Sequence, residues 1–247
     1  MDLGLADRVY LVTGGSKGLG FATAKALVGD GARVVLSSRS QENVDRAVAE
    51  LGERAVGVVG DNADPELAGR LVATAKERFG RIDGLLVSVG GPPFGGVLDT
   101  DLADWSRAYD SVFLGTLRLV RTVVAELGDG GAVALVLSTS VREPLDGLAI
   151  SNGLRPGLAM AAKTLANEVG PRGIRVVSLM PGAVATERLA GLLANPEALA
   201  QRSAGIPLRR IGEPDEFGRV AAFVLSPAAS YLTGTVIGVD GGAVRGL

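Results

Sequence analysis

The residues best suited to chemistry by type and spacing lie early in the chain, in Thr13-Gly14-Gly15-Ser16-Lys17-Gly18-Leu19-Gly20. Glycines at 14, 18 and 20 permit a tight turn and a close approach of backbone to a phosphate, and free N–H groups of a following helix attract its charge. That chemistry is pyrophosphate binding. Proton transfer is more constrained, because the 247 residues include no histidine and no cysteine. The two zeros exclude disulfides, Cys or His zinc sites, the usual haem and iron-sulfur ligation, and Ser-His-Asp or Cys-His catalysis, and no metal site is expected. Acid-base work falls to Asp, Glu, Lys, Arg, Ser or one of three tyrosines, Tyr10, Tyr109 and Tyr231.

The elements that must position these residues can be read from hydrophobic pattern. Apolar runs at 8–13, 33–37, 55–59, 85–89, 133–137, 174–179 and 235–239 predict seven strands, mostly apolar on successive residues as in a parallel sheet covered on both faces. Helical patterns at 18–29, 41–51, 64–79, 101–127, 153–170 and 214–225 alternate with them. The expected architecture is α/β: one doubly wound (Rossmann) domain over residues 1–247, with a seven-stranded parallel sheet flanked by helices. The stretch without a strand at 183–213 predicts a lid, at about 187–212. A formal charge of −2 gives no electrostatic footprint for nucleic acid, and no apolar run reaches bilayer length, so a cytoplasmic protein with neither partner is expected.

The first strand runs directly into the glycine loop, and the loop into a helix. With the preceding Thr13, its Gly-x-x-x-Gly-x-Gly spacing resembles the short-chain dehydrogenase/reductase family, and the likeness extends over the whole chain. Asp61-Asn62 resembles the family's adenine contact, and the Pro181-Gly182, Val184 and Thr186 pattern its nicotinamide-side segment. Residues 206–214, 231–234 and 239–242 resemble the last third of 3-oxoacyl-carrier-protein reductases. The resemblance implies a dinucleotide site that includes Gly14, Ser16, Lys17, Gly18, Leu19, Gly20, Asp61, Asn62, Ser88, Gly90, Pro181, Gly182, Val184 and Thr186. At the end of the second strand an acidic side chain would bond a free ribose 2′-hydroxyl. Here Ser37, Ser38 and Arg39, with Lys17 nearby, suit a 2′-phosphate, which favours NADP(H) over NAD(H).

The family's catalytic pattern fails at several positions. Ser138 matches the family serine, but Ser151, 13 residues on, stands where the resemblance places Tyr, and Arg155 where it places Lys. Val112 stands at the family Asn, and Ser88-Val89-Gly90-Gly91 replaces an Asn-Asn-Ala-Gly. Lys163 reads as an ordinary helix-face residue. Pro156 predicts that the helix begins near Gly153 or kinks there, keeping Ser151 and Arg155 out of the Tyr and Lys positions, with Ser151 and Asn152 readable as a helix cap. The leading expectation is an NADP(H)-dependent carbonyl or 3-oxoacyl reductase acting on a small molecule. Ser138 and Arg155 would polarise the carbonyl, and the proton would come from water or from Glu143, Asp146 or Glu187. The alternatives are a non-catalytic dinucleotide-binding sensor or structural subunit, and a non-redox elimination using Arg155 and a carboxylate. The lid leucines Leu189, Leu192, Leu193 and Leu199 fit either a pocket wall or core packing. Apolar stripes on the helices at 101–127 and 153–170 resemble the family's four-helix interface, which implies a homodimer or homotetramer, unless they face their own sheet.

Overall fold

The computed structural model describes residues 2–246. Strands β1 (Val9–Val12), β2 (Arg33–Ser38), β3 (Ala55–Val59), β4 (Gly84–Val87), β5 (Ala132–Val136), β6 (Arg175–Pro181) and β7 (Thr235–Val239) form one parallel sheet in the order β3-β2-β1-β4-β5-β6-β7. The central strands β1, β4 and β5 are buried at every residue, which their unbroken apolar runs demand. Helices α3 (Leu67–Phe79), α5 (Gly115–Glu126) and α6 (Ala149–Val169) cover one face. Helices α1 (Gly18–Gly29), α2 (Gln41–Leu51) and α9 (Pro214–Leu225) cover the other. Strand order reverses between β1 and β4, so a crevice opens at their C-terminal ends.

Close packing aims the loop before α1. A Cβ on Gly218 of α9 would lie 2.4 Å from the Ala22 carbonyl oxygen of α1, so only glycine lets the two helices approach this closely. The lid segment contains two short helices, α7 (Ala190–Leu193) and α8 (Pro196–Ala204), with none of its helical residues fully buried.

Two helices depart from expectation. The helix over 101–127 divides into α4 (Leu102–Ala108), a π-helical turn at Tyr109–Leu114, and α5. Gly115 directly follows the π turn and lies against the Asn62 backbone, where a Cβ would come within 2.2 Å of the carbonyl oxygen. The expected start near Gly153 is also wrong: α6 begins at Ala149 and continues unbroken through Pro156, so Ser151 and Arg155 lie within one continuous helix and the proline does not separate them from it as expected. Proline removes one helical bond and costs about 3 kcal/mol, but the first turn is held from outside. Ala149 N–H donates to the Gly95 carbonyl, and the Asn152 amide both donates to the Leu145 carbonyl and accepts from its N–H. Ile150, Ser151 and Arg155 are buried. Ser151 is therefore not a cap; the N-cap is Leu148, with no side-chain cap bond. Val120, Val124, Leu158, Ala162 and Val169 of the two stripes lie in the chain's own core.

Candidate active site

The crevice is pinned by one hydroxyl. Thr13 Oγ1, just beyond β1, donates to the Ser88 carbonyl beyond β4 (3.0 Å) and accepts from the Ser88 N–H (3.1 Å) and the Asn62 amide (3.4 Å). The loop tops of three strands are thereby joined. Gly14 follows with φ +58°, and a Cβ there would meet the Ser88 carbonyl oxygen at 2.6 Å. A Cβ at Gly20 would come within 2.3 Å of the Gly14 carbonyl, and Gly18 has φ +53° beside Thr186. Lys17 caps α1 with no side-chain bond, which leaves the first N–H groups of the helix free for an anion. A dinucleotide pyrophosphate suits this cradle, whose shape a Cβ at 14 or 20 would distort by colliding with the Ser88 or Gly14 carbonyl.

Around the cradle the structure gathers the other residues singled out in the sequence. Ser16 is buried in the loop and Leu19 is half-buried at the first turn of α1. Ser38 ends β2 and Arg39 follows it, mostly exposed with Nε 3.9 Å from an Asp61 carboxylate oxygen. Gly90 is exposed beyond β4. Pro181 closes β6, and Gly182 donates its N–H to Val239. Val184 bridges to Gly212, fixing the approach to Thr186. The Lys17 ammonium lies 3.0 Å from Glu187 at the start of the lid.

Beyond the end of β5 lies a group of hydroxyls. Ser138 Oγ accepts from the Ser140 N–H, and the Ser140 and Ser151 hydroxyls are 3.0 Å apart. Four residues after Ser151, the buried Arg155 lies on the same face of α6 and donates to the Val136 carbonyl at 2.8 Å. Burial, and then the charge of Arg188 on the lid, push Arg155 down to about 10, so it stays cationic at neutral pH. Arg188 donates to the Pro92 carbonyl and its guanidinium lies 4.6 Å from the Phe94 ring centre. Ser140 and Arg188 were not singled out in the sequence. Ser140 could have been found as the residue two beyond Ser138 in a turn, whereas nothing local marks Arg188. Glu143 and Asp146 are exposed, and Glu187 is committed to Lys17.

The family described as Enoyl-(Acyl carrier protein) reductase matches residues 14–244. The chain belongs to the short-chain dehydrogenase/reductase family. It is 37% identical over 244 residues to human Dehydrogenase/reductase SDR family member 4, covering 96% of this chain and 88% of that one. It is 36% identical to an uncharacterized oxidoreductase of Methylorubrum extorquens, covering 96% and 98%. Among solved structures, L-sorbose reductase from Gluconobacter frateurii, complexed with NADPH and L-sorbose, superposes with a TM-score of 0.94 at 28% identity and full coverage of both chains. A short-chain dehydrogenase/reductase from Brucella melitensis gives 0.93 at 29%, covering 99% of each. The family is one of nicotinamide-dependent oxidoreductases of alcohol and carbonyl groups, in keeping with the cradle and the hydroxyls that face the same crevice.

Among the described residues no carboxylate lies within 4.0 Å of Arg155. An unpaired buried cation opposes folding. Arg155→Met, which keeps most of the volume and removes the charge, is expected to stabilise the free protein by on the order of 1 kcal/mol at pH 7. Thermal denaturation checks this, and a lower midpoint would show that the bond to Val136 outweighs desolvation.

Proposed function

We propose that the chain is an NADP(H)-dependent carbonyl reductase whose active site lacks the family's Tyr and Lys, with Ser151 and Arg155 in their places. The supporting observation is a complete dinucleotide cradle at the switch point, opening onto the cluster of Ser138, Ser140, Ser151 and Arg155. The dinucleotide is held by Gly14, Ser16, Lys17, Gly18, Leu19 and Gly20 at the pyrophosphate, Asp61 and Asn62 toward the adenine, and Ser88, Gly90, Pro181, Gly182, Val184 and Thr186 toward the nicotinamide. Ser38 and Arg39 meet a 2′-phosphate; no acidic residue stands at either position. The L-sorbose reductase that superposes on the chain is itself complexed with NADPH.

When bound, the nicotinamide supplies or accepts hydride. The chain's own residues do the rest. The Ser138 hydroxyl donates to the substrate oxygen and fixes its direction. Arg155, one turn of helix from Ser151, holds the negative charge that develops on that oxygen. Ser151 and Ser140, bonded to each other, pass a solvent proton toward it, because an aliphatic hydroxyl is too weak an acid to supply its own. Val112, buried where the family carries Asn, offers no side-chain polar group, and its carbonyl is taken by the Thr116 hydroxyl.

The chain acts in the cytoplasm as a homotetramer in this reading. Among the described residues no helix is long and apolar enough to cross a membrane. Self-association is supported by Met160, 70% exposed on α6 beside edge strand β7, and by a cleft of about 470 Å³ there lined by Pro156, Lys163 and Val236.

Three outcomes are expected. NADPH fluorescence titration should show tighter binding than NADH, and Arg39→Asp should reverse that order by ~tenfold or more; equal affinities in the unaltered protein would exclude the NADP assignment. Ser151→Tyr with Arg155→Lys should raise carbonyl reduction, followed at 340 nm, by about 10²–10⁴. Binding of NADPH with no turnover in either form would instead favour a non-catalytic dinucleotide binder. Light scattering on the eluting protein should give four chains per particle, and a monomer would overturn the tetramer.

A further inference from the structure

Two arginines, Arg155 on α6 and Arg188 at the start of the lid, have no counter-ion among the described residues. Arg155 is 6% exposed and spends one N–H on the Val136 carbonyl. Its other guanidinium nitrogens are not sealed in, since the one sealed and partnerless side-chain polar atom among the described residues is Ser37 Oγ. Arg188 approaches from the lid, close enough for its charge to act on Arg155. Among the described residues, no carboxylate lies within 4.0 Å of either one. Glu187, next to Arg188 in sequence, has its carboxylate on Lys17.

The position of Arg188 is also built. It donates to the Pro92 carbonyl and rests on Phe94, and Gly91 leaves room for it: a Cβ there would lie 2.2 Å from the guanidinium carbon. The 91–95 loop that receives it is in turn bonded to the start of α6, through Gly95 with Gly147 and Ala149. Lid, loop and α6 therefore bring the exposed Arg188 near enough to the buried Arg155 for the two like charges to oppose each other, an opposition that a bound anion would relieve. A carboxylate suits it best, because a planar pair of oxygens can take parallel N–H bonds from a guanidinium fork.

We propose that Arg155 and Arg188 form a carboxylate subsite, so that the substrate is an oxo acid whose carbonyl lies at the Ser138, Ser140 and Ser151 hydroxyls. The subsite rests on the reading of the crevice as a carbonyl reductase site. The dinucleotide pyrophosphate is assigned elsewhere, to the free N-terminus of α1 and the 14–20 cradle.

Calorimetric titration of 2-oxobutyrate and acetoacetate against their methyl esters tests the proposal, on the free protein and on protein saturated with NADP⁺. The expected result is that at least one acid binds ~tenfold or more tighter than its ester. Arg188→Ala, Arg155→Met and Gly91→Ala should each reduce that preference, the last by displacing Arg188 while leaving its charge. Arg188→Ala should leave NADPH affinity within about twofold, since charges that serve only one ligand need not affect the other. Acids and esters that bind alike, or no binding of either, would overturn the subsite even where NADPH binds normally. Loss of NADPH binding in Arg188→Ala without any acid preference would assign the guanidinium to the cofactor and overturn it too. Acid preference in a protein that binds no NADPH would support the subsite while removing the reductase reading.

Discussion

The hydroxyl of Thr13 is the contact on which the site depends. In a doubly wound sheet the chain leaves β1 in one direction and returns to β4 from the other, so nothing covalent fixes the two strand ends together at the crevice. Thr13 Oγ1 has one proton and two lone pairs, and all three are used: the Ser88 carbonyl, the Ser88 N–H and the Asn62 amide. This node sets the floor against which Gly14 turns, and Gly14 sets the distance to Gly20 and hence the aim of α1. The other side of Asn62, its backbone carbonyl, receives Gly115 at the end of the π turn. Cradle and π turn are thus coupled through one residue, so that the helix facing the substrate side is positioned by the same network that shapes the phosphate side.

On the substrate side the ordering principle changes from hydrogen-bond saturation to unbalanced charge. Two other arginines show the ordinary solutions: Arg175, buried at the start of β6, donates to three carbonyls around the end of α9, and Arg210 makes a two-pronged pair with Glu216. Arg155 is as buried as Arg175 yet has one carbonyl. Local departures from saturation of this kind concentrate where a protein binds or reacts with something.

Much of this was legible in the sequence because it follows from short-range rules. Short unbroken apolar runs such as Val9–Val12, rich in β-branched residues and alternating with helical patterns, read as interior parallel strands, and a glycine triplet between strand and helix has few uses. The rest was not legible because it depends on distant chain segments. Pro156 reads as a boundary, since its cost is local and visible, whereas the contacts that overcome it come from Gly95 and Leu145, brought near only by the fold. The π turn likewise needs the Asn62 backbone beneath Gly115. Arg188 looks like any lid arginine until Gly91 and Phe94 are seen to make its seat, and Ser140 gains meaning only when α6 lays Ser151 against it.

These pieces bear on how a carbonyl could be reduced without a phenol. A concerted mechanism needs an acid near the operating pH at the substrate oxygen, and serine hydroxyls cannot meet that need. Reduction can instead proceed if the alkoxide is stable enough to exist before it is protonated. A cation in a dry site favours that more than one in water, because the interaction is poorly screened there. Arg155 provides such a cation, and its burial is what makes it effective. The same burial would make the free protein less stable, and an incoming carboxylate and developing alkoxide would relieve the strain together. On this logic the site discriminates by charge: a neutral ketone would face two repelling guanidinium groups with only one weak acceptor to offer, while an oxo acid would complete the electrostatics that the fold leaves open.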